Sequence, residues 1–218
     1  MGADCMNKQD QNRWKCEVLT LVLEALSLSE RLKPILVYKG ARILNLRLGT
    51  LSRQSLDIDS NLNVDYKLYC QEEDIGELLE TEFSTALKKF FSKQKPVRYR
   101  VENIRVKKNP SNGQHPFGWS GFKAKINILD QKVVVRNFSR IEIDIASPEK
   151  LGLNAVSDLR LSDECVVSAY TLERIAGEKL RAFLSSLPKY LAKIGRRNDT
   201  VRVKDLYDLS RIRTLFYQ

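Results

Sequence analysis

The residues with the clearest chemical potential are Asp57 and Asp59, in the segment 53–59. In a β-strand, residues two apart project from the same face, so these carboxylates would lie side by side while Leu56 and Ile58 face the core. Adjacent carboxylates repel each other, and a bound divalent cation relieves that repulsion at neutral pH. The pair therefore indicates a metal site, with a solvated strand face as the alternative and, for an isolated Asp-x-Asp, the commoner arrangement.

A second acidic pair, Glu142 and Asp144, lies in the segment 141–145, which is also apolar on one face and acidic on the other. If this strand neighbours the first one, the carboxylates of Asp57, Asp59 and Asp144 converge, as a pair of magnesium ions requires. The alternative is an exposed edge strand.

Two segments further along the chain combine lysine with acidic residues. Glu178 and Lys179 lie inside a predicted helix, and Lys204, Asp205 and Asp208 lie at the start of another. Taken alone, such segments are typical of solvated helix faces with local ion pairs.

Histidine and cysteine chemistry is largely excluded by composition. The only histidine, His115, lies in the breaker-rich segment 109–116, so histidine-dependent nucleophilic catalysis would depend on a loop residue and a multi-histidine metal site cannot form. The four cysteines are far apart and form no CxxC pair, which argues against a disulfide framework or a zinc knuckle. Carboxylates, lysines and arginines must therefore carry any chemistry.

The charge balance favours a polyanionic partner. The 218 residues include 37 Lys and Arg against 27 Asp and Glu, a net charge of +10, and nucleic acids and nucleotides are the first candidates. The basic residues concentrate in segments 93–108 and 189–204, which would follow an RNA backbone, and Tyr99, Phe117 and Trp119 could stack on unpaired bases. The alternative is that these lysines protect an edge strand and solubilise a helix.

Residues 1–15 are charged where a signal peptide is apolar, and no run approaches the roughly 18 apolar residues of a membrane span. We therefore expect a cytoplasmic protein with no membrane partner.

Hydrophobic periodicity predicts the elements that position these residues. An α+β core with an N-terminal helix is expected over residues 1–150, followed by a C-terminal helical lobe over residues 151–218 that packs on the core. The predicted helices span 13–32, 41–48, 74–93, 172–187 and 203–215, and the predicted strands span 35–38, 56–64, 97–107, 121–129, 132–136 and 140–146.

Four segments, in this order, resemble the motif set of the AbiEii/AbiGii toxin-family nucleotidyltransferases. They are residues 39–44, 53–59, 170–179 and 204–209, and the resemblance extends over nearly the whole chain. It implies a polymerase-β-like nucleotidyltransferase fold, a mixed sheet flanked by helices. The family is associated with bacterial abortive infection and toxin-antitoxin systems.

The resemblance also implies roles near the donor nucleotide. Lys39 and Gly40 fall in the family's glycine turn, where bare backbone N–H groups approach the triphosphate. Arg53 and Ser55 would hold phosphate oxygens or orient the strand, and Lys179 would neutralise phosphate charge.

The remaining implied roles belong to acidic residues. Asp57 and Asp59 resemble the metal-binding pair, and Asp144 matches the third carboxylate of the wider fold. Asp205 corresponds to the aspartate of the final motif, which would place Lys179 or a substrate group.

The glycine turn departs from the family pattern. Where the family reads Gly-Gly-Thr or Gly-Gly-Ser, this chain has Gly40, Ala41 and Arg42. Arg42 could replace the hydroxyl as a bidentate phosphate clamp, or its presence could reflect an altered donor preference or lost activity.

The resemblance implies a metal-dependent nucleotidyltransferase, with Mg²⁺ or Mn²⁺, that moves a nucleoside monophosphate from a nucleoside triphosphate to an RNA 3′ end, tRNA above all, or to a protein side chain. It also implies a toxin with a cognate antitoxin. The alternative is a catalytically silent module that kept the fold and binds RNA or protein. A DNA-binding regulator is disfavoured because no helix-turn-helix stands clear of the core.

Overall fold

The first helix shows how local sequence sets the architecture. In the computed structural model, which describes residues 6–50, 54–70, 75–111, 120–133, 140–152, 154–195 and 200–216, helix α1 spans Lys8–Ser27. The side chain of Asn7 caps it by accepting a hydrogen bond from the backbone N–H of Asp10 at 2.9 Å, which satisfies one of the free donors at a helix start. Trp14, Val18 and Val22 are buried along one side.

The other elements follow in a mixed order of strands and helices. They are β1 (Leu36–Lys39), α2 (Gly40–Arg47), β2 (Ile58–Leu62), α3 (Ile75–Lys93), β3 (Tyr99–Asn109), β4 (Gly121–Asp130), β5 (Arg140–Ala146), β6 (Val156–Arg160), β7 (Val166–Tyr170), α4 (Leu172–Ser185), α5 (Pro188–Lys193) and α6 (Val203–Phe216). A short 3-10 helix, Tyr66–Leu68, precedes α3.

The strands form one mixed sheet in the order β3-β4-β5-β2-β1-β7-β6. The β2–β5 and β1–β7 pairs are parallel, and the remaining neighbours are antiparallel. This confirms the predicted α+β class, with a mixed sheet flanked by helices.

The core lies between one face of the sheet and helices α1 and α3. Leu79, Phe83 and Leu87 of α3 are fully buried, as are Ile126 and Ile143 of the sheet. Residues one position away along the strands point to the opposite face, where β3, β4 and β5 carry charged and amide side chains. The two faces of this half of the sheet therefore differ sharply in polarity.

Several elements differ from the predicted ones. The β6–β7 hairpin and the short helix α5 are absent from the prediction because β6 is largely exposed and gives no clear apolar alternation. The hairpin joins the same sheet because β7 pairs with β1, so the sheet continues past residue 150. The division into a core over residues 1–150 and a lobe over residues 151–218 stays a prediction. The predicted strand 132–136 lies mostly outside the described residues, and Lys132 and Val133 form a bend.

Among the described residues, no helix combines the length and the apolarity needed to cross a membrane.

Candidate active site

A cleft of about 540 Å³ gathers most of the residues that the sequence singles out. Its walls come from β1, α2, the segment before β2, α4 and α6. The predicted residues that line it are Lys39, Gly40, Ser55, Asp57, Asp59, Lys179 and Asp205, and its other lining residues include Ala41, Gln54, Glu178, Arg181, Arg202 and Lys204. Segments that are far apart in the sequence therefore meet in one polar cleft.

Asp59 lies near the middle of the sheet. β2 runs between β1 and β5, and Asp59 is paired with Lys39 on one side and with Asp144 on the other. β2 begins at Ile58, so Asp57 directly precedes the strand. Burial and the negative charge of Asp57 raise the pKa of Asp59 to about 6. The ammonium groups of Lys39 and Lys179 act in the opposite direction.

Gly40 allows the backbone to approach Asp59 closely. Its φ of +80° lies in the left-handed region, and a Cβ at this position would collide with the carboxylate of Asp59. Helix α2 starts here, and its first turn contains no acidic residue. The first N–H groups of a helix lack intrahelical acceptors and attract anions, so this end of α2 presents donors suited to phosphate beside the carboxylate pair.

The segment before β2 is held by hydrogen bonds from beneath the cleft. The hydroxyl of Ser55 donates to Asp57 Oδ1 at 3.1 Å, and Arg42 Nη2 donates to the carbonyl of Ser55 at 2.8 Å. Arg42 thus acts on Asp57 indirectly, through the conformation of Ser55.

Arg42 itself is not among the described residues that line the cleft. Its side chain is buried against α1, where the guanidinium donates to Thr20 Oγ1 at 3.1 Å and to the carbonyl of Cys16 at 3.4 Å. Burial lowers its pKa, and interactions with Cys16 and Asp57 oppose that shift. In this geometry the guanidinium supports the segment that carries Asp57, and its alternative role as a phosphate clamp stays a prediction.

Lys179 lies on the opposite wall of the cleft, where its ammonium contacts two aspartates of α6. Its ammonium lies 3.3 Å from Asp205 Oδ1 and 2.6 Å from Asp208 Oδ2, and Arg202 Nε donates to Asp205 Oδ2 at 2.5 Å. Helix α4, which carries Lys179, is capped by Thr171, whose hydroxyl accepts from the backbone N–H of Arg174. Asp205 thus contacts Lys179, and its role in placing Lys179 or a substrate group stays a prediction.

Asp144 is next to Asp59 in register but has a different partner. Its Oδ1 lies 3.0 Å from the ammonium of Lys123, which also contacts Glu142 at 3.5 Å. Asp144 is not among the described residues that line the cleft. Within the part of the chain that the structure describes, no three Asp, Glu, His or Cys side chains are grouped to hold a metal ion. Asp144 therefore lies beside Asp59 in register but is held by Lys123, and its part in a three-carboxylate site stays a prediction.

The pair Asp57 and Asp59 nevertheless fits a divalent cation. Carboxylate oxygens are the ligands that Mg²⁺ and Mn²⁺ prefer, and the repulsion between the two groups, together with the burial of Asp59, favours a bound cation. Arg53, expected to hold phosphate oxygens, lies outside the described residues.

The structure adds three residues that sequence reasoning did not place in the site. Asp208 is a second buried partner of Lys179, Arg202 is a second partner of Asp205, and Lys123 is the counter-ion of Asp144. Asp208 could have been found from the sequence, because its spacing from Asp205 places both on one helix face. The pairing of Lys123 with Asp144 depends on strand register, which the sequence does not reveal.

Residues 22–217 match the family described as nucleotidyl transferase AbiEii toxin, type IV TA system. The chain belongs to this family. It is therefore a nucleotidyltransferase of the AbiEii toxin family, in agreement with the resemblance of its four motifs. None of the curated protein sequences compared with the chain matches it.

Two solved structures from Helicobacter pylori resemble this AbiEii family member in fold. One is JHP933, with a TM-score of 0.53 and 13% sequence identity over 96% of this chain and 68% of that protein. The other is a putative nucleotidyltransferase, with a TM-score of 0.53 and 14% identity over 96% of this chain and 70% of that one. At such identities the likeness concerns the fold, and it agrees with the predicted nucleotidyltransferase fold.

Proposed function

We propose that this AbiEii family member transfers a nucleoside monophosphate from a nucleoside triphosphate to an RNA 3′ end, with tRNA as the first acceptor to test. The observation that carries the proposal is the convergence of Asp57, Asp59, Gly40 and Lys179 on one cleft. In the proposed reaction the 3′ hydroxyl oxygen forms a bond to the α-phosphorus. The bond from the α-phosphorus to the bridging oxygen of the β-phosphate breaks, and pyrophosphate leaves with that electron pair.

The donor triphosphate would lie between the start of α2 and the wall formed by α4. Gly40 and Ala41 line the cleft at the start of α2, and their backbone N–H groups would donate to phosphate oxygens. Lys39 and Lys179 supply positive charge on either side, which offsets the charge that develops on the phosphates in the transition state. Ser55 keeps Asp57 in position by its hydrogen bond.

Asp57 and Asp59 would hold Mg²⁺ or Mn²⁺. A cation there supplies neutralisation of phosphate charge beside the attacking hydroxyl. Asp144 would take up the proton of that hydroxyl, for which its carboxylate must first leave Lys123. Asp205 would keep the ammonium of Lys179 directed along the cleft wall.

A nucleotide added to the 3′ end of tRNA blocks aminoacylation, so translation stops. This would give the family's toxin character a molecular basis in the cytoplasm, and a cognate antitoxin would counteract it.

Incubation of the purified protein with α-labelled nucleoside triphosphates, Mg²⁺ or Mn²⁺ and total tRNA tests the proposal. We expect label in RNA, loss of transfer with EDTA, and loss of transfer in Asp57→Asn. Asp163→Asn, on the exposed β6–β7 turn, is the matched control and should act like the parent protein. Label on protein instead of RNA would show that the acceptor is a protein side chain. Absence of label from both would favour a catalytically silent binding module.

A further inference from the structure

The sheet carries a second polar surface beside the cleft. On the face opposite α1 and α3, strands β3, β4 and β5 form a shallow groove of about 390 Å³ that we call the basic face. It is lined by Asn103, Arg105, Lys107, Lys108, Asn109, Ser111, Lys123, Lys125, Asn127 and Arg140. Every one of these side chains is polar, and six are cationic.

Strand register explains why the cations collect there. Lys107 is paired with Lys123 and Arg105 with Lys125 across the β3–β4 ladder. Directly paired residues project from the same face, so positive charges stand next to one another in successive rows. Like charges in such positions are unfavourable unless an anion binds between them.

Much of this charge has no ion-pair partner among the described residues, although Lys125 is paired with Glu142 across the β4–β5 ladder. Lys107 and Lys125 form no ion pair with any residue that the structure describes. Arg105 contacts Glu80 only in an exposed pair at 3.4 Å. Lys123 is the exception, because its ammonium contacts Glu142 and Asp144.

The basic face runs directly into the candidate active site. Lys107, Lys123, Asp144 and Asp59 occupy one continuous row across β3, β4, β5 and β2. Adjacent strands are 4.7 to 4.9 Å apart, so Lys107 lies roughly 15 Å from Asp59 along this row. A chain bound along the rows would therefore end beside the carboxylate pair.

We propose that the basic face binds a single-stranded segment of the RNA acceptor and directs its 3′ end toward Asp59. This inference rests on the proposed function, since it assigns the acceptor's path to a defined surface. An acidic protein partner fits less well, because protein interfaces have an apolar centre, whereas interfaces with nucleic acid are polar and positively charged. Asn103 and Asn127, which are paired in the ladder, add amide groups that can bond to sugars or bases.

The test compares two pairs of charge reversals of equal size in full-length protein. Lys107→Glu/Lys125→Glu alters the basic face. Lys88→Glu/Lys89→Glu is the control, on exposed positions of α3, the helix that packs against the opposite face. Fluorescence anisotropy of a labelled single-stranded oligoribonucleotide, read in an Asp57→Asn background so that no transfer occurs, gives the affinity as a function of salt.

We expect the basic-face pair to weaken RNA binding about tenfold or more and to reduce the slope of log affinity against log salt by about 1.4, since each lost phosphate contact on a single strand contributes about 0.7. The control pair should change binding less than about twofold. Lys107→Arg/Lys125→Arg keeps both positive charges and should bind RNA like the parent. This variant shows whether weaker binding comes from lost charge or from misfolding.

Three outcomes would overturn the inference while leaving the proposed function intact, provided that the parent protein still labels RNA. They are unchanged binding in the basic-face variant, equal weakening in the control variant, and tighter binding of the same sequence as a duplex. Tighter binding of a labelled polyglutamate peptide than of RNA would assign the face to an acidic protein. If the parent neither binds nor labels RNA, the proposed function fails, and this inference fails with it.

Discussion

Lys179 and Lys123 each contact two carboxylates, but the two lysines differ in burial. Lys179 contacts Asp205 and Asp208 at 3.3 and 2.6 Å, with side-chain exposures of 10% for the lysine and 2% and 1% for the aspartates. Lys123 contacts Glu142 and Asp144 at 3.5 and 3.0 Å, with exposures of 30%, 35% and 39%. Each ammonium bridges two carboxylates, but only the first does so away from water.

The difference in burial implies a difference in function. A buried ion cannot lose its partner without a large cost, whereas a half-exposed pair is screened by solvent and contributes little. Lys179 joins α4 to α6 and so fixes a wall of the cleft. Lys123 joins β4 to β5, which are already paired by backbone hydrogen bonds, so its side chain can exchange partners without disturbing the sheet.

The largest expected effect is the loss of the buried ammonium. Lys179→Met leaves the carboxylates of Asp205 and Asp208 buried with less compensation, and removing one member of such a pair costs about 3 to 5 kcal/mol. Urea denaturation should give that decrease in the free energy of unfolding. Lys189→Met, at an exposed position of α5, is the control and should stay within about 0.5 kcal/mol of the parent.

Lys179→Met/Asp208→Asn should recover part of the loss, because one buried charge is then removed. A decrease below about 1 kcal/mol in Lys179→Met, the level of an exposed pair, would contradict the contrast between the two lysines.

The second prediction extends the comparison to a buried cation that bonds mainly to backbone. Arg42→Met removes donors from the carbonyls of Ser55 and Cys16 and from Thr20. Unsatisfied buried acceptors cost about 1 to 3 kcal/mol, and we expect about 2 kcal/mol in the free energy of unfolding. Arg42→Lys should retain part of the stability, since an ammonium can satisfy one or two of these oxygens.

Because Arg42 supports Ser55, which in turn orients Asp57, Arg42→Met should also weaken Mn²⁺ binding, measured by electron paramagnetic resonance. Loss of stability with unchanged Mn²⁺ affinity would show that Arg42 acts on folding alone.

The contrast between Arg42 and Asp57 shows what local sequence can establish. Two-residue alternation predicted Asp57 and Asp59 on one face, and both line the cleft, although β2 begins only at Ile58 and Leu56, expected to face the core, lines the cleft as well. Helical periodicity was enough to find the helices that carry Lys179 and Asp205. The orientation of the Arg42 side chain, which buries it against α1, depends on packing between segments more than twenty residues apart. Its position in the glycine turn suggested phosphate, and only the tertiary fold shows that it contacts Ser55 instead.

The acidic residues also divide into contacts that the sequence predicts and contacts that only strand pairing reveals. Asp144 lies on a strand adjacent to Asp59, as the sequence suggested, and the parallel β2–β5 pairing brings the two into register. The antiparallel neighbour β4 then places Lys123 opposite Asp144. A long-range pairing of this kind leaves no periodic signal in the sequence, so the ion pair between Lys123 and Asp144 could not have been predicted.

The third prediction concerns the acid sensitivity of the buried lysine site. Burial raises the pKa of Asp205, but hydrogen bonds and charges from Arg202 and Lys179 lower it by more, so the pKa lies below its ordinary value. A lowered pKa contributes stability that is complete above the unfolded-state pKa of about 3.9 and is lost as the pH falls through the folded-state value.

Asp205→Asn should therefore be less stable than the parent by about 1 to 2 kcal/mol at neutral pH. The gap should narrow below about pH 4, where protonation removes the parent's advantage. Urea denaturation of both proteins across this range measures the gap. A gap that is constant with pH would assign the effect to packing rather than to charge.

The smallest expected effect is at the exposed lysine. Lys123→Met removes a half-exposed pair and should change the free energy of unfolding by less than about 1 kcal/mol. A double-mutant cycle with Asp144→Asn isolates the interaction, and its coupling energy should be about 0.2 to 1 kcal/mol. The corresponding cycle of Lys179→Met with Asp208→Asn should give a clearly larger coupling. Equal coupling energies in the two cycles would mean that Lys123 is as fixed as Lys179, and Asp144 would then be unable to leave it for an incoming hydroxyl.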